Sequence, residues 1–222
     1  MVAGHPEPAR RWLTHAIAPG TPLYGSVELT MRGQIKLGAW RPFTAQQVLH
    51  PPDGFIWAAR ARVAGLPVIG YDRYSSGTGE MRWRLLGLIP VITGRGENVT
   101  RSAAGRLAAE AIWIPTSFHR AQWSTGPTPD SAIATWRIGG ATEEVQLHVG
   151  EHGQLTGVLE RRWGDPNGEP FGRYPFGVTI EQEHDFAGVT IPSTLRAGWW
   201  WGTGRQEEGE FFRAQVVDAA FH

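Results

Sequence analysis

Apolar and polar residues alternate most regularly between Gly25 and Leu37. The even-numbered positions carry polar side chains, while the odd-numbered positions are apolar or small: Val27, Leu29, Met31, Gly33, Ile35 and Leu37. A period of two places successive side chains on opposite faces of a strand, one buried and one in water. The segment therefore predicts a half-buried β-strand.

Shorter strand-like runs follow along the chain, and turn-forming pairs such as Ala64-Gly65 and Gly139-Gly140 separate them. This spacing is typical of antiparallel hairpins. The predicted strands cover about 40–49, 54–63, 67–75, 79–86, 88–93, 120–125, 131–138, 143–149, 154–163, 175–186, 189–201 and 206–219.

Two segments predict helices instead. Residues 6–17 begin with prolines, which suit a first helical turn. Residues 98–114 are rich in alanine and leucine behind a candidate N-cap at Asn98 or Thr100, and Pro115 ends them. A sheet of this length curls or closes, and one helix is enough to cover or plug it.

We therefore expect a mainly β fold that forms a single domain over residues 1–222. Its predicted architecture is a single antiparallel open β-barrel, or strongly curved sheet, of about 11–13 strands. This sheet wraps on one central helix at about 98–114 and follows a short N-terminal helix.

Composition and charge exclude several classes. The 21 basic and 21 acidic side chains balance, and with both signs scattered we expect no basic stripe for nucleic acid. Without cysteine there is no disulfide, thiolate metal site or cysteine nucleophile. No apolar run approaches the roughly 18 to 20 residues of a membrane span, and the first residues lack the order of a secretory signal. We expect a cytoplasmic protein without integral membrane association, and its oligomeric state stays open.

Eight motifs extend over nearly the whole chain: 31–38, 54–60, 87–91, 101–116, 162–164, 175–177, 191–193 and 209–214. Together they resemble an uncharacterised bacterial family that is common in actinobacteria. The resemblance implies no assigned activity. The order of strands and helix is also similar to the open half-barrel of lipoprotein-carrier proteins, which implies an apolar cavity, although a fold alone does not define a function.

Glu110 is the first candidate site residue, because it falls inside the apolar stripe of the predicted helix, with Leu107. A carboxylate there must be paired, hydrogen-bonded or protonated. One interpretation is a structural ion pair with Arg106, Arg101 or a strand arginine. The other makes Glu110 a general acid/base or a ligand anchor in the cavity.

Asp72 and Tyr74 share one face of a predicted strand, so Asp72 is a candidate partner carboxylate for Glu110 across the cavity. The alternative is that Asp72 faces outward or forms a turn. His184 is in register with apolar residues, which indicates either a structural histidine or a general base. The histidines show no ligand-like spacing, so we expect no metal and no cofactor.

The 11 tryptophans supply most of the aromatic surface. Most of them are expected in the core or the barrel wall, and a few could offer a face to a planar ligand. The candidate ligand-binding residues are Trp57, Met81, Trp83, Leu107, Trp113 and Trp199.

Two functional hypotheses follow from these patterns. The first is a protein that binds, carries or sequesters a hydrophobic or aromatic small molecule in an apolar cavity. The second is a cofactor-free enzyme of the lyase, isomerase or cyclase kind, in which Glu110, with Asp72, Tyr74 or His184, moves a proton. A third hypothesis, a carbohydrate-binding or hydrolysing barrel, needs two carboxylates at glycosidase spacing.

Overall fold

Within residues 4–222, which this computed structural model describes, thirteen antiparallel strands form one continuous curved sheet. The predicted mainly β class and strand number are therefore confirmed. The strands are β1 (Val27–Leu37), β2 (Ala39–His50), β3 (Gly54–Val63), β4 (Leu66–Ser75), β5 (Thr78–Leu85), β6 (Ile89–Arg95), β7 (Gln122–Thr125), β8 (Ser131–Ile138), β9 (Ala141–Val149), β10 (Leu155–Gly164), β11 (Gly172–Phe186), β12 (Val189–Trp199) and β13 (Glu210–Phe221).

In the described part of the chain, three α-helices accompany the sheet: α1 (Glu7–Ala16), α2 (Glu97–Glu110) and α3 (Gln206–Gly209). The central helix begins close to the predicted position but ends earlier, because the chain tightens into 3-10 turns at Ala111–Trp113 and Pro115–Arg120. The short α3 occupies the start of what the sequence predicted as the last strand. In this part of the chain, no helix is long and apolar enough to cross a bilayer.

The two side chains predicted to cap α2 form hydrogen bonds with strand residues instead. Gly96 is the N-cap residue, and no side chain caps the helix. The amide oxygen of Asn98 accepts a hydrogen bond from the indole N–H of Trp163 at 3.1 Å. The hydroxyl of Thr100 accepts one from the backbone N–H of Gly79 at 3.0 Å. Both side chains thus tie the helix to strands instead of satisfying its first turn.

Sequence neighbours pair along the whole sheet, and the two ends of the chain meet in its middle. Strand β1 pairs with both β2 and β13, with Val27 opposite Phe221. The edges of the sheet are β6 and β7, which do not pair with each other. They are consecutive strands, so the segment 96–121, which contains α2, must span the opening between them. The barrel is therefore open, and α2 packs against strands from both halves of its concave face.

The core lies between the concave face and the helices. Alternate residues of β2 and β3 are buried, as the period of two predicts. Helix α1 carries the fully buried Trp12, whose ring packs edge-on against Phe118 at 4.8 Å between ring centroids. Phe118 in turn contacts Trp136 of β8 at 5.0 Å. This aromatic cluster closes the core near α1, away from the charged residues described below.

Within residues 4–222, five hairpins contain two successive turn residues that both have positive φ. This is the type I′ geometry, whose twist matches that of the flanking strands. The five pairs are Ala64-Gly65, Ser76-Gly77, Leu86-Gly87, Gly139-Gly140 and Ala187-Gly188. Leu86, at φ 56°, is the bulkiest residue among them, and such a residue is uncommon in the left-handed region.

Gly33 lies where β1 pairs with β13, so replacing it tests that pairing. A Cβ at this position would collide with the backbone carbonyl of Arg213, which a strand cannot move cheaply. We expect Gly33→Ala to lower the free energy of unfolding by about 2–3 kcal/mol, as overpacking does. Urea denaturation measures the loss, and Gly204→Ala, with no atom within 4 Å of the added carbon, is the matched control. Equal stability of the two variants would contradict the pairing described here.

Candidate functional site

A cavity of about 160 Å³ lies between α2, the turn that follows it and the concave face of the sheet. Its wall combines five aromatic, six aliphatic and four charged side chains. The aromatic residues are Trp57, Trp113, Phe176, Phe211 and Phe212; the aliphatic residues are Ile35, Ala109, Ile112, Val178, Leu195 and Ala197; the charged residues are Asp72, Arg106, Glu110 and Arg162. Apolar side chains thus form most of the wall, with the charges as the exception.

Arg106 holds both predicted carboxylates. Its Nη1 donates to Asp72 Oδ2 at 2.9 Å and its Nε donates to Glu110 Oε1 at 2.7 Å. Glu110 also accepts a hydrogen bond from the amide of Gln47 at 2.5 Å, and Asp72 accepts one from the indole N–H of Trp83 at 2.9 Å. Asp72 and Glu110 therefore lie on opposite sides of one guanidinium group, as an ion-pair network across the cavity.

The environment of Arg106 keeps this guanidinium charged. Burial alone would lower the pKa of Arg106, but the charges of Glu110 and Asp72 outweigh that effect and hold it above its ordinary value. The guanidinium carbon also lies 4.8 Å from the ring centroid of Phe55 and 5.0 Å from that of Trp57. Aromatic faces attract a cation at such distances. The aromatic face of β3 thus holds the network against the sheet.

Arg162 is the second cation of the cavity, and its surroundings differ. Within residues 4–222 it forms no ion pair, and its hydrogen bonds to the backbone oxygen and hydroxyl of Ser102 are long, at 3.3 and 3.4 Å. Its guanidinium carbon lies 4.7 Å from the ring centroid of Phe176 and 5.4 Å from that of Trp199. Burial lowers the pKa of Arg162, while the charge of Glu160 acts against that shift. Arg162 therefore offers donors that the protein uses only weakly.

Glu160 precedes Arg162 on the same face of β10 and is buried beneath α2. Neither carboxyl oxygen has a hydrogen-bond partner among the described residues. Burial raises the pKa of Glu160 to about 8, against the smaller opposing effect of Arg162. Gly105 leaves the space for it, since a Cβ there would lie 3.3 Å from Arg162 and 3.5 Å from Glu160. A buried carboxyl that is neutral near pH 7 therefore lies beside the least paired cation of the site.

A second cavity, of about 310 Å³, adjoins the first. We call it the polar vestibule, because Arg73, Glu80, Asn98, Ser102 and Asp165 contribute to its wall. It shares three wall residues with the apolar cavity: Asp72, Arg106 and Arg162. The charged residues thus mark the boundary between an apolar chamber and a polar one.

Four predicted site residues line the apolar cavity. Asp72 and Glu110 do so together, as the sequence predicted for a carboxylate pair across the cavity, and Trp57 and Trp113 add aromatic surface. Trp113 is fixed by a hydrogen bond from its indole N–H to the backbone oxygen of Pro192 at 3.0 Å. What these residues do chemically stays a prediction.

The other predicted residues lie around the cavity or away from it. Met81 lines the polar vestibule, and Trp83 supports Asp72 behind the cavity wall. Leu107 is fully buried in the core. Trp199 packs against Phe176, with 5.3 Å between the ring centroids, and so buttresses the wall.

Tyr74 and His184 are not at the cavity. Tyr74 is buried, its pKa is raised by burial, and its hydroxyl packs against Gly139 at the far end of β4. The prediction that His184 lies on an apolar face was wrong. Two register shifts between Ile180 and Glu183 interrupt the alternation of β11, so His184 is exposed, with its ring edge-on to Phe186 at 4.7 Å between ring centroids. Among the described residues, no three histidine, aspartate or glutamate side chains converge as metal ligands.

The sequence reasoning missed Gln47, Glu160 and the inward orientation of Arg162. A signal for them exists, because Val158, Glu160 and Arg162 alternate along β10 in the same way as the apolar residues of β1. Polar residues on the apolar register of a strand point to the interior. Sequence alone cannot show which of them meet, since Glu160 and Gln47 lie on strands far apart in the sheet.

A half-open antiparallel barrel around one helix, with a charged group beside an apolar cavity, is the class of protein that these features define. The chain belongs to DUF6544, a family of unknown function, whose model matches residues 1–211. No curated protein matches it.

Three solved structures are similar in architecture. A putative outer membrane lipoprotein-sorting protein domain from Vibrio parahaemolyticus has 10% identity and a TM-score of 0.46, covering 89% of this chain and 86% of its own. A LolA superfamily protein from Nitrosomonas europaea has 10% identity and a TM-score of 0.46, covering 97% and 92%. A DUF1329 family protein from Desulfovibrio piger has 10% identity and a TM-score of 0.42, covering 96% and 90%. The likeness concerns the fold, and the site must be argued from this chain's own residues.

Replacing Arg106 tests the ion-pair network. We expect Arg106→Met to lower the free energy of unfolding at pH 7 by about 3–5 kcal/mol, because it leaves two largely buried carboxylates uncompensated. Adding Asp72→Asn and Glu110→Gln removes those charges and should restore much of the loss. Urea denaturation gives the values, with the exposed Arg137→Met as control. A triple variant no more stable than the single one would refute the network.

The raised pKa of Glu160 predicts an unusual pH dependence of the free energy of unfolding. Because its folded pKa, about 8, exceeds the ordinary 4.5, the folded state holds a proton that the unfolded state releases. The unfolding free energy should therefore fall as pH rises from about 4.5 to 8, by up to roughly 1.4 kcal/mol per unit. Urea titrations across this range should lose that slope in Glu160→Gln and keep it in Glu144→Gln, whose side chain is exposed. An unchanged slope in Glu160→Gln would mean that Glu160 is ionised when folded.

Proposed function

We propose that the protein binds a hydrophobic or aromatic small molecule between α2 and the concave face of the sheet, as a carrier or a sequestering protein. The observation that carries the proposal is the composition of the cavity wall, in which eleven apolar side chains surround four charged ones. Small-molecule sites have this character: an apolar concave surface with a few polar groups that fix orientation. The polar vestibule provides a route for a polar group of the ligand.

The volume limits the size of the ligand. An apolar cavity of about 150 Å³ holds one benzene-sized molecule, and the chamber here, at about 160 Å³, is of the same size. A single ring or a short acyl segment fits without movement of the sheet. A larger molecule must extend past the charged residues into the polar vestibule, whose volume is about 310 Å³.

Arg162 is the group best suited to orient a ligand. Arg106 already donates to two carboxylates, whereas Arg162 makes only long hydrogen bonds to Ser102. Glu160 beside it is neutral near pH 7 because of its raised pKa. A carbonyl or hydroxyl oxygen of a ligand can therefore accept a hydrogen bond from Arg162. The proposed ligand is accordingly an apolar molecule that carries one oxygen acceptor.

The alternative function is a cofactor-free lyase, isomerase or cyclase. The observation that favours it is that Asp72 and Glu110 both reach the cavity wall, where either could take a proton from a bound substrate. Both form ion pairs with Arg106, at 2.9 Å for Asp72 and 2.7 Å for Glu110. Glu110→Gln separates the two functions: a carrier keeps its affinity, while an enzyme keeps its affinity and loses turnover.

Filling the cavity tests the proposed function. We expect indole, toluene and short-chain ketones to raise the melting temperature of the wild type, since a ligand at a hundred times its Kd adds about 2.7 kcal/mol. Ala197→Leu should abolish that rise because the new carbons occupy the chamber. Ala197→Val adds fewer carbons and should reduce the rise. Differential scanning calorimetry measures both effects.

Ala58→Leu, on the exposed face of β3, is the matched control and should respond to ligand as the wild type does. Native mass spectrometry of the protein from its own host, followed by extraction, then identifies the bound molecule. A ligand-induced rise that survives in Ala197→Leu would place binding elsewhere and refute the proposal.

A further inference from the structure

One corner of the sheet exposes aliphatic side chains. Six of the thirteen large hydrophobic side chains that are exposed within residues 4–222 lie there. We call this the apolar corner: Leu66, Leu86, Leu88, Ile89, Val91 and Ile92, which are 46%, 48%, 75%, 57%, 55% and 43% exposed. The β3–β4 and β5–β6 turns meet at it, since the N–H of Leu86 donates to the backbone oxygen of Pro67 at 2.8 Å. Exposed apolar patches of this kind mark interaction surfaces.

Basic side chains stand directly beside the apolar corner. On the outer face of the sheet, Arg60 of β3, Ile69 of β4 and Arg84 of β5 form one cross-strand row. Arg62 lies two residues nearer the turn and pairs with Pro67. All three arginines are exposed, and none forms an ion pair with another described residue. Their charge is therefore free to act on something outside the protein.

The net charge of zero for the whole chain conceals an uneven distribution of charge. Between Val27 and Arg95, the span of β1 to β6, there are nine basic and four acidic residues, a net charge of +5. The other residues carry twelve basic and seventeen acidic side chains, a net charge of −5. The even scatter of charge that the whole-chain balance suggested was therefore wrong. One half of the sheet is positively charged, and the apolar corner lies in that half.

We propose that the apolar corner docks on the surface of an anionic lipid bilayer. Leu86, Leu88 and Ile89 enter the boundary between headgroups and acyl chains, while Arg60, Arg62 and Arg84 contact the lipid phosphates. Peripheral binding of this kind needs both buried apolar area and attraction to anionic lipids. The proposal goes beyond the cavity, and neither its success nor its failure depends on the proposed small-molecule ligand.

Other partners fit the corner less well. A nucleic acid would use the arginines but leave the aliphatic side chains in water. A second chain adding to the exposed edge strand β6 would meet Pro90, which has no N–H to donate, and the irregular pairing between Trp83 and Arg84. Leu86 lies at the tip of the β5–β6 turn, where its side chain is 48% exposed. A lipid surface needs no backbone partner and accepts the tip as it is.

Vesicle sedimentation tests the proposal. We expect the full chain to bind vesicles that mix phosphatidylglycerol with phosphatidylcholine, and to bind pure phosphatidylcholine and high-salt samples weakly. Leu86→Ser with Leu88→Ser should weaken binding at least about tenfold through lost apolar burial. Arg62→Gln with Arg84→Gln should weaken it about thirtyfold at low salt, at about tenfold per 1.4 kcal/mol.

The controls change matched residues outside the corner. Leu23→Ser with Val217→Ser removes two other exposed apolar side chains, and Arg10→Gln with Arg137→Gln removes two exposed arginines that form no ion pair within residues 4–222. Both pairs should bind as the wild type does. Because the chain has no cysteine, Leu88→Cys takes one environment-sensitive dye, whose emission should shift to the blue on anionic vesicles. The same dye at Leu23→Cys should not shift.

Each remaining result would overturn the proposal. These results are no binding to anionic vesicles, equal binding to neutral ones, or a dye at position 88 that stays in water. Retention of duplex DNA that depends on Arg62 and Arg84, without vesicle binding, would assign the surface to nucleic acid. A dimer in sedimentation velocity that Leu88→Ser dissociates would assign it to a second copy of the chain.

Discussion

The packing of α2 inside an unclosed sheet is the constraint on which the rest of the structure depends. Strands β6 and β7 are the two edges, and the segment between them crosses the concave face because it has to join them. The helix can approach the sheet closely because much of its length is alanine and glycine, including Ala104, Gly105 and Ala108. Small residues leave room for strand side chains to rise toward the helix. The cavity and the charged network occupy that space.

Burying a charged side chain in this interior costs free energy. Contacts with neighbouring groups offset that cost to different extents at different residues. Arg106 forms ion pairs with Asp72 and Glu110 and lies over aromatic rings, so the free-energy cost of removing it from water is well offset. Arg162 and Glu160 are offset poorly: one makes long hydrogen bonds, and the other makes none within the described chain. A fully satisfied network stabilises one arrangement, whereas an unsatisfied pair keeps free hydrogen-bonding capacity. That difference is the reason for placing the polar group of a ligand at Arg162.

The two proposed surfaces lie in different parts of the fold. The cavity uses the inward face of β1, β3, β4 and β10 to β13. The apolar corner lies beside the outward face of β3 to β5 and on the edge strand β6, where Arg60 and Arg84 point to solvent. A curved sheet that is not closed has both a concave site and a free edge. One architecture therefore accommodates small-molecule binding and surface docking without any shared residue.

The local pattern of the sequence determined the elements of this protein. Alternation in β1, the glycine turns and the alanine-rich run at 98–114 identified the strands, the hairpins and the central helix, because these depend on neighbours within a few residues. Strand alternation placed Asp72, and the apolar stripe of the helix placed Glu110, toward one interior. Only the tertiary structure decided the rest. Bulges in β11 moved His184 to the surface, and the meeting of distant elements brought Gln47 to Glu110 and Arg106 to Asp72. Such contacts depend on sheet curvature and on where the helix lies, which no short-range pattern encodes.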